Sequence, residues 1–197
     1  MSAAVNPTAF AGISIGTGVG SVTDWLRRIT VRIAGSRNSH GSGILWSSEG
    51  LIVTNAHVAS SSEHEIELSD GRKLQGWLLA RDPKIDLAAI VITANNLSAA
   101  SVRGARTMRV GEIVLAVGNP FDGVGAVSTG IVHQPVGRLP WLVADIRLAP
   151  GNSGGPLSDS QGNVIGVNSM IVGGLGWAVT SDSVNAFLRR ERLTEVT

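Results

Sequence analysis

The spacing of apolar and polar positions changes character once along the chain. Near the N-terminus Val22, Trp25, Leu26 and Ile29 recur at the interval of one helical face, behind Ser21 as an N-cap, which predicts a short helix over 21–29. From Thr30 onward the period becomes two, broken by short apolar runs, and the predicted elements are strands at 30–34, 43–46, 51–54, 65–68, 73–80 and 87–93. Ser48-Glu49-Gly50 and Ser69-Asp70-Gly71-Arg72 supply turns between them. A segment rich in Asn, Ser and Ala, 94–104, leads to a second set at 113–118, 126–133, 141–148, 164–170 and 176–180. A helix is predicted to close the chain over 181–192. Val184, Phe187 and Leu188 make its apolar face, while Arg189, Arg190 and Arg192 suit the negative end of its dipole. Many short strands, few helices and frequent glycine turns predict an all-β fold, sandwich or barrel. The two strand sets favour two barrels divided near residue 100, and no fixed-period repeat points to a propeller or solenoid.

Composition narrows this reading. A chain of 197 residues, 43% hydrophobic and 16% charged, is globular and long enough for a substantial core. Its net charge of +1, with no long basic block, predicts neither a nucleic-acid nor a membrane partner. No apolar run reaches the roughly 18 residues of a membrane span. Without cysteine there is no disulfide framework and no thiolate metal site, which fits a reducing compartment. No Lys or Arg precedes Arg27, so the basic start of a secretory signal is missing; with Met1 as the native start, a cytoplasmic location is expected. Residues 1–20 read as a flexible or docking arm, with Gly12, Gly16, Gly18 and Gly20 against regular structure and Phe10 as the one large apolar anchor.

Candidate chemistry centres on Pro150-Gly-Asn-Ser-Gly-Gly-Pro-Leu157. Gly151, Gly154 and Gly155 allow a sharp turn that presents the Ser153 hydroxyl outward and points nearby N–H groups at the same place, as acyl transfer requires. The same residues also compose an ordinary surface turn. His57, in Thr54-Asn-Ala-His-Val, lies just past a strand end, as a held base or as a satisfied core histidine. His40 in a Gly/Ser loop, His133 at a strand end and His64 between Glu63 and Glu65 look less constrained, and His64 reads as a solvated side chain. A general base needs an orienting carboxylate. Asp86 leads into an uncharged strand and is a candidate for partial desolvation; Asp82, followed by Pro83, reads as turn chemistry. No metal-binding helix motif, calcium loop or nucleotide-binding glycine element is present, so neither metal nor cofactor is expected.

The order His57, Asp86, Ser153 is that of chymotrypsin-type proteases and not that of subtilisins or α/β-hydrolases. Further segments extend the pattern: His40-Gly-Ser-Gly-Ile-Leu, Asp82-Pro-Lys-Ile-Asp-Leu-Ala, Val117-Gly-Asn-Pro-Phe, Ser128-Thr-Gly-Ile-Val, Val164-Ile-Gly-Val-Asn and Gly174-Leu-Gly-Trp-Ala-Val. Over about residues 21 to 190 the chain resembles the trypsin-like protease domain of the HtrA/Deg family. The resemblance implies a chymotrypsin-like double β-barrel over 21–193, with barrels at about 30–100 and 105–180 and the site in the cleft between them. It implies a serine endopeptidase acting on unfolded or extended protein or peptide substrates through an acyl-enzyme. Ser153 would be the nucleophile, His57 the base and then the acid, and Asp86 the orienting group. The N–H groups of Gly151 and Ser153, with Asn152 between them, would form the oxyanion hole. Leu148, Ala149, Pro150, Val167, Asn168, Ser169 and Met170 would line a pocket preferring an aliphatic residue before the scissile bond. The strand near Asn168 would pair an extended peptide. Homotrimers through the N-terminal segment, with Phe10 and Trp25 as anchors, are a further implication, although core packing also suits Trp25.

Three departures from the family stand out. No PDZ domain follows the protease domain before Thr197, so peptide-gated control is not expected. Asp145-Ile-Arg-Leu-Ala-Pro replaces the usual Asp-Ala-Ala-Ile-Asn-Pro, bringing Arg147 and Ala149 beside the pocket. The loop from Gly35 to His40 is too short for a long regulatory insertion. Rival readings are a protease fold kept as a peptide-binding module and an esterase using the same three residues. Glycines around Ser153 also suit an oxyanion loop that is misarranged at rest.

Overall fold

The computed structural model describes residues 15–34, 40–119, 125–134, 136–137 and 140–193. Residues 1–14 of the predicted arm, with Phe10, lie outside the described residues, as does most of the short loop after Ala34.

The first helix, α1, runs Ile15–Ile29 and so begins well before Ser21. Its stripe docks with Leu26 and Ile29 fully buried and Val22 and Trp25 half-buried against the same core. An interior glycine costs about 1 kcal/mol. Extending an already docked helix still costs less than nucleating one, so Gly20 is absorbed and Ser21 sits mid-helix instead of capping it.

Among the described residues, twelve antiparallel strands follow in two closed barrels. The first comprises β1 (Thr30–Ala34), β2 (His40–Leu45), β3 (Leu51–Thr54), β4 (Glu63–Glu67), β5 (Lys73–Asp82) and β6 (Leu87–Ile92), in ring order β1-β2-β3-β6-β5-β4. The second comprises β7 (Ile113–Gly118), β8 (Ala126–Val132), β9 (Trp141–Asp145), β10 (Pro156–Asp159), β11 (Val164–Val172) and β12 (Leu175–Thr180), in ring order β10-β11-β12-β9-β8-β7. A double barrel is the predicted arrangement. The strand missed in the sequence is β10: four residues with a proline, a serine and an aspartate carry no period-two signal, yet all four are buried. Asp159 there accepts bonds from Arg103 (3.3 Å) and from the main-chain N–H groups of Gln161 (3.0 Å) and Asn163 (2.9 Å).

His64 corrects the sequence reading. It is not solvated: β4 alternates exposed Glu63, buried His64, exposed Glu65 and buried Ile66. The imidazole lies inside, with Nδ1 3.2 Å from the Ala34 oxygen and Nε2 3.1 Å from the Ser61 oxygen. Its charged neighbours in sequence occupy the other face of the pleat.

Each barrel has its own apolar filling, Ile33, Ile52, Ile66 and Ile90 in the first, Val114, Leu142 and Ile165 in the second. A third cluster forms the seam between them and holds Leu26, Val53, Leu87, Leu115, Val117, Val179 and Phe187. The closing helix α2, Ser181–Arg190, is capped by Thr180, whose Oγ1 accepts from the Ser183 N–H at 3.3 Å. It stops two residues before Arg192, which takes a left-handed φ of +57°. An ion pair of 2.7 Å between Arg190 and Asp82 ties α2 to the first barrel.

Candidate active site

Both members of the acid–base pair come from the first barrel. β3 ends at Thr54, and the chain turns with the N–H groups of Val58 and Ala59 donating to the Asn55 oxygen at 3.2 and 3.1 Å. That turn sets out an exposed His57. Its Nδ1 stands 2.9 and 3.0 Å from the two carboxylate oxygens of Asp86, and its main-chain N–H donates to the same carboxylate at 3.1 Å. Asp86 precedes β6 in the left-handed region, φ +54°, a conformation held by the Asn55 amide, which donates to the Asp86 main-chain oxygen at 2.9 Å. The Ser169 hydroxyl donates to the carboxylate from the other side. Burial is the strongest single influence on Asp86 and opposes its ionisation, but the hydrogen bonds from His57 and Ser169 together outweigh it and hold the carboxyl below its usual range. Asp82, the alternative carboxylate, bonds the Lys84 N–H at 2.9 Å and pairs with Arg190, not with His57.

The second barrel brings Ser153. The Asn152 N–H donates to the Ala149 oxygen at 3.0 Å, with Pro150 second and Gly151 third in the turn at φ +101°, the signature of type II. Only glycine adopts the third position without strain. Among the described residues, the N–H groups of Gly151 and Ser153 have no hydrogen-bond partner. Gly154, at φ +85°, lies so close to the first barrel that a Cβ would stand 2.0 Å from the Ser42 oxygen. Ser153 Oγ donates to the main-chain oxygen of Ser169 at 3.1 Å.

Beside Ser153 opens a cavity of about 290 Å³. Leu148, Ala149, Pro150, Asn168, Ser169 and Met170 line it, together with Asn152, Ser153 and Ile171. Val167 does not. It is fully buried in the seam, because β11 alternates and a register shift between Asn168 and Met170 turns the later residues toward the cavity. Arg147 is exposed and does not line the cavity, so it leaves the lining apolar at Leu148, Met170 and Ile171.

Ser169, expected as cavity lining, also serves Asp86. Two residues of the site, Ser42 and Asn55, escape a reading of spacing alone; both are completely buried polar side chains. Their signal in the sequence is the unpaired polar residue in a run such as His40-Gly-Ser-Gly-Ile-Leu, which burial obliges to find a partner.

The two barrels, with a His–Asp pair from one and a glycine-framed serine from the other, define the chymotrypsin-like class. Residues 41–167 match the family described as Trypsin-like peptidase domain, and the chain belongs to that family. It is similar to "Probable periplasmic serine endoprotease DegP-like" from Halomonas elongata, 38% identical over 142 residues, 68% of this chain and 30% of that protein. To "Serine protease HTRA2, mitochondrial" from Drosophila erecta it is 37% identical over 166 residues, 77% of this chain and 39% of that one. It thus spans well under half the length of these curated relatives. Among solved structures, "HtrA-type protease AlgW with tripeptide" superposes with a TM-score of 0.80 at 29% identity, covering 87% of this chain and 62% of that one. The resemblance to HtrA-type proteases and the double-barrel fold implied by it are borne out over the protease domain.

Proposed function

We propose that this domain is a serine endopeptidase that cleaves extended or unfolded protein segments through an acyl-enzyme. The observation that carries the reading is the Asp86–His57 pair of 2.9 Å, set across the barrel seam from a serine flanked by two unpartnered N–H groups. Ser153 Oγ turns to His57 Nε2, loses its proton to it and attacks the scissile carbonyl. Asp86 fixes the Nδ1–H tautomer and stabilises the imidazolium. The Gly151 and Ser153 N–H groups receive the developing oxyanion. His57 then protonates the leaving amine, and water repeats the sequence on the acyl-enzyme.

The apolar lining from Leu148, Met170 and Ile171 suits an aliphatic side chain before the scissile bond. Beyond Ser169, the edge of β11 away from β12 carries no strand among the described residues, leaving main-chain groups for an extended peptide to pair with. The relative solved with a tripeptide supports a peptide substrate.

A fluorophosphonate probe tests the reaction. Wild type is expected to label at Ser153 and Ser153→Ala not at all; an unlabelled wild type across pH 6 to 9, a range set around the ordinary histidine pKa of ~6.5, would leave only the binding-module reading. Casein cleavage, set against hydrolysis of small esters alone, separates endopeptidase from esterase.

A further inference from the structure

We propose that Ser42, on β2 of the first barrel, is a positioning residue for the oxyanion turn of the second; the proposal rests on the endopeptidase reading above. The two donors belong to the peptides on either side of the Gly151–Asn152 unit. That middle peptide is held at both ends. Its N–H donates to the Ala149 oxygen at 3.0 Å, and its carbonyl accepts from Ser42 Oγ at 2.8 Å and from the Asn119 N–H at 3.3 Å. Glycine offers no side-chain resistance to rotation, so the peptide's plane depends on what its carbonyl is tied to. Freed, it can rotate, and any part of that rotation not cancelled between ψ of Gly151 and φ of Asn152 turns the flanking peptides, which carry both donors.

The direction of the Ser42 proton follows by elimination. A hydroxyl has one proton to give. The neighbours of Ser42 Oγ from Asn119 are both donors, the main-chain N–H and Nδ2, each at 3.1 Å, which leaves the Gly151 oxygen as its acceptor. Asn119 is oriented in turn by the Gly125 N–H, which donates to its Oδ1 at 3.0 Å, and by the Val31 oxygen, 3.3 Å from its Nδ2. A second hold comes from the Ser42 main-chain N–H, which donates to the Ser153 oxygen at 2.8 Å. Ser42 therefore grips the turn on both sides of Asn152. With Ser42 wholly inaccessible and Asn119 nearly so, no water replaces a lost bond without rearrangement.

The test compares wild type, Ser42→Ala and Ser42→Cys. Readouts are kcat and KM on a peptide substrate, affinity for a peptide boronate whose adduct oxygen enters the hole, and binding of the substrate peptide in a Ser153→Ala background. Direct loss of an oxyanion donor costs about 10²–10³ in kcat, so a residue acting through those donors is expected to cost roughly tenfold or more. KM and ground-state peptide binding should stay near wild type, boronate affinity should fall in step with kcat, and the weakly donating Ser42→Cys should lie between. Equal loss of boronate and peptide binding would show general loosening and overturn the proposal, as would wild-type kcat in Ser42→Ala. Should Ser42→Ala not fold, the same comparison on Ser42→Cys decides between these outcomes. Fluorophosphonate labelling of wild type keeps the two readings apart: its failure removes the endopeptidase itself, whereas normal labelling with an indifferent Ser42→Ala removes only the role of Ser42.

Discussion

Ser153 Oγ donates to the main-chain oxygen of Ser169, 3.1 Å away, while the hydroxyl of that same Ser169 donates to Asp86. One residue of β11 thereby touches both the nucleophile and the orienting carboxylate. No bond joins Ser153 to His57 at rest. An extended peptide pairing along β11 would bring an N–H to the Ser169 oxygen in place of the Ser153 hydroxyl, which is then free to turn toward His57. A structure with a peptide boronate is expected to have Ser153 Oγ on boron and a ligand N–H on the Ser169 oxygen. A complex in which that oxygen receives no ligand N–H would contradict this.

Ser169→Ala removes a donor to Asp86 and keeps the main-chain oxygen. A hydrogen bond to a charged group is worth about 1.5–3 kcal/mol. If that is spent on orienting the pair, kcat falls by roughly ten- to a hundredfold with little change in KM. Steady-state kinetics on one peptide substrate decides it.

Asp86 carries a pH signature. Its carboxyl is held below the ordinary value, so its contribution to stability is complete above that value and is lost as pH falls through the folded one. The window therefore lies below about pH 4. Urea unfolding of wild type and Asp86→Asn should differ at pH 7 and converge toward pH 3. Activity of Asp86→Asn should be down by roughly four orders of magnitude at neutral pH, as expected where the tautomer is lost.

Gly154→Ala should be among the costliest single-methyl additions available. The new Cβ would meet the Ser42 oxygen at 2.0 Å and Thr54 Oγ1 at 2.2 Å, at a φ of +85°. Strain of this kind costs on the order of 1–3 kcal/mol before the overlap is counted. The expected result is a clearly lowered Tm together with loss of labelling at Ser153.

Phe187→Ala tests the seam. The ring is almost fully buried among residues of both barrels, and truncation of such a side chain costs about 3–5 kcal/mol. Denaturant melts should record it, with Ser153 labelling falling in parallel if the seam also keeps the two halves of the site in register.

Legibility in the sequence followed physical signal. Strands β3 and β7 begin and end where short apolar runs and turn residues place them, because nearly every residue of each is packed and the runs are bounded by glycine or polar turns. His57, Asp86 and Ser153 were marked by glycine framing, chain order and an unpaired carboxylate before a buried strand. β10 was silent because its buried polar residues are satisfied by partners distant in sequence, such as Arg103 for Asp159. His64 was misread because two flanking glutamates dominate a local view, whereas the pleat sends them the opposite way. Val167, which the family resemblance puts at the cavity, lies away from it because a register shift at Ser169 decides which side of β11 faces it.

The ring order of the second barrel also sets when the site first exists. β12 lies between β11 and β9, so the barrel bearing Ser153 stays open until residues 175–180 have been made. During synthesis the histidine and aspartate emerge before the serine, and the serine emerges before the strand that closes its own barrel. On the endopeptidase reading, the site therefore cannot be complete until that last strand has been made.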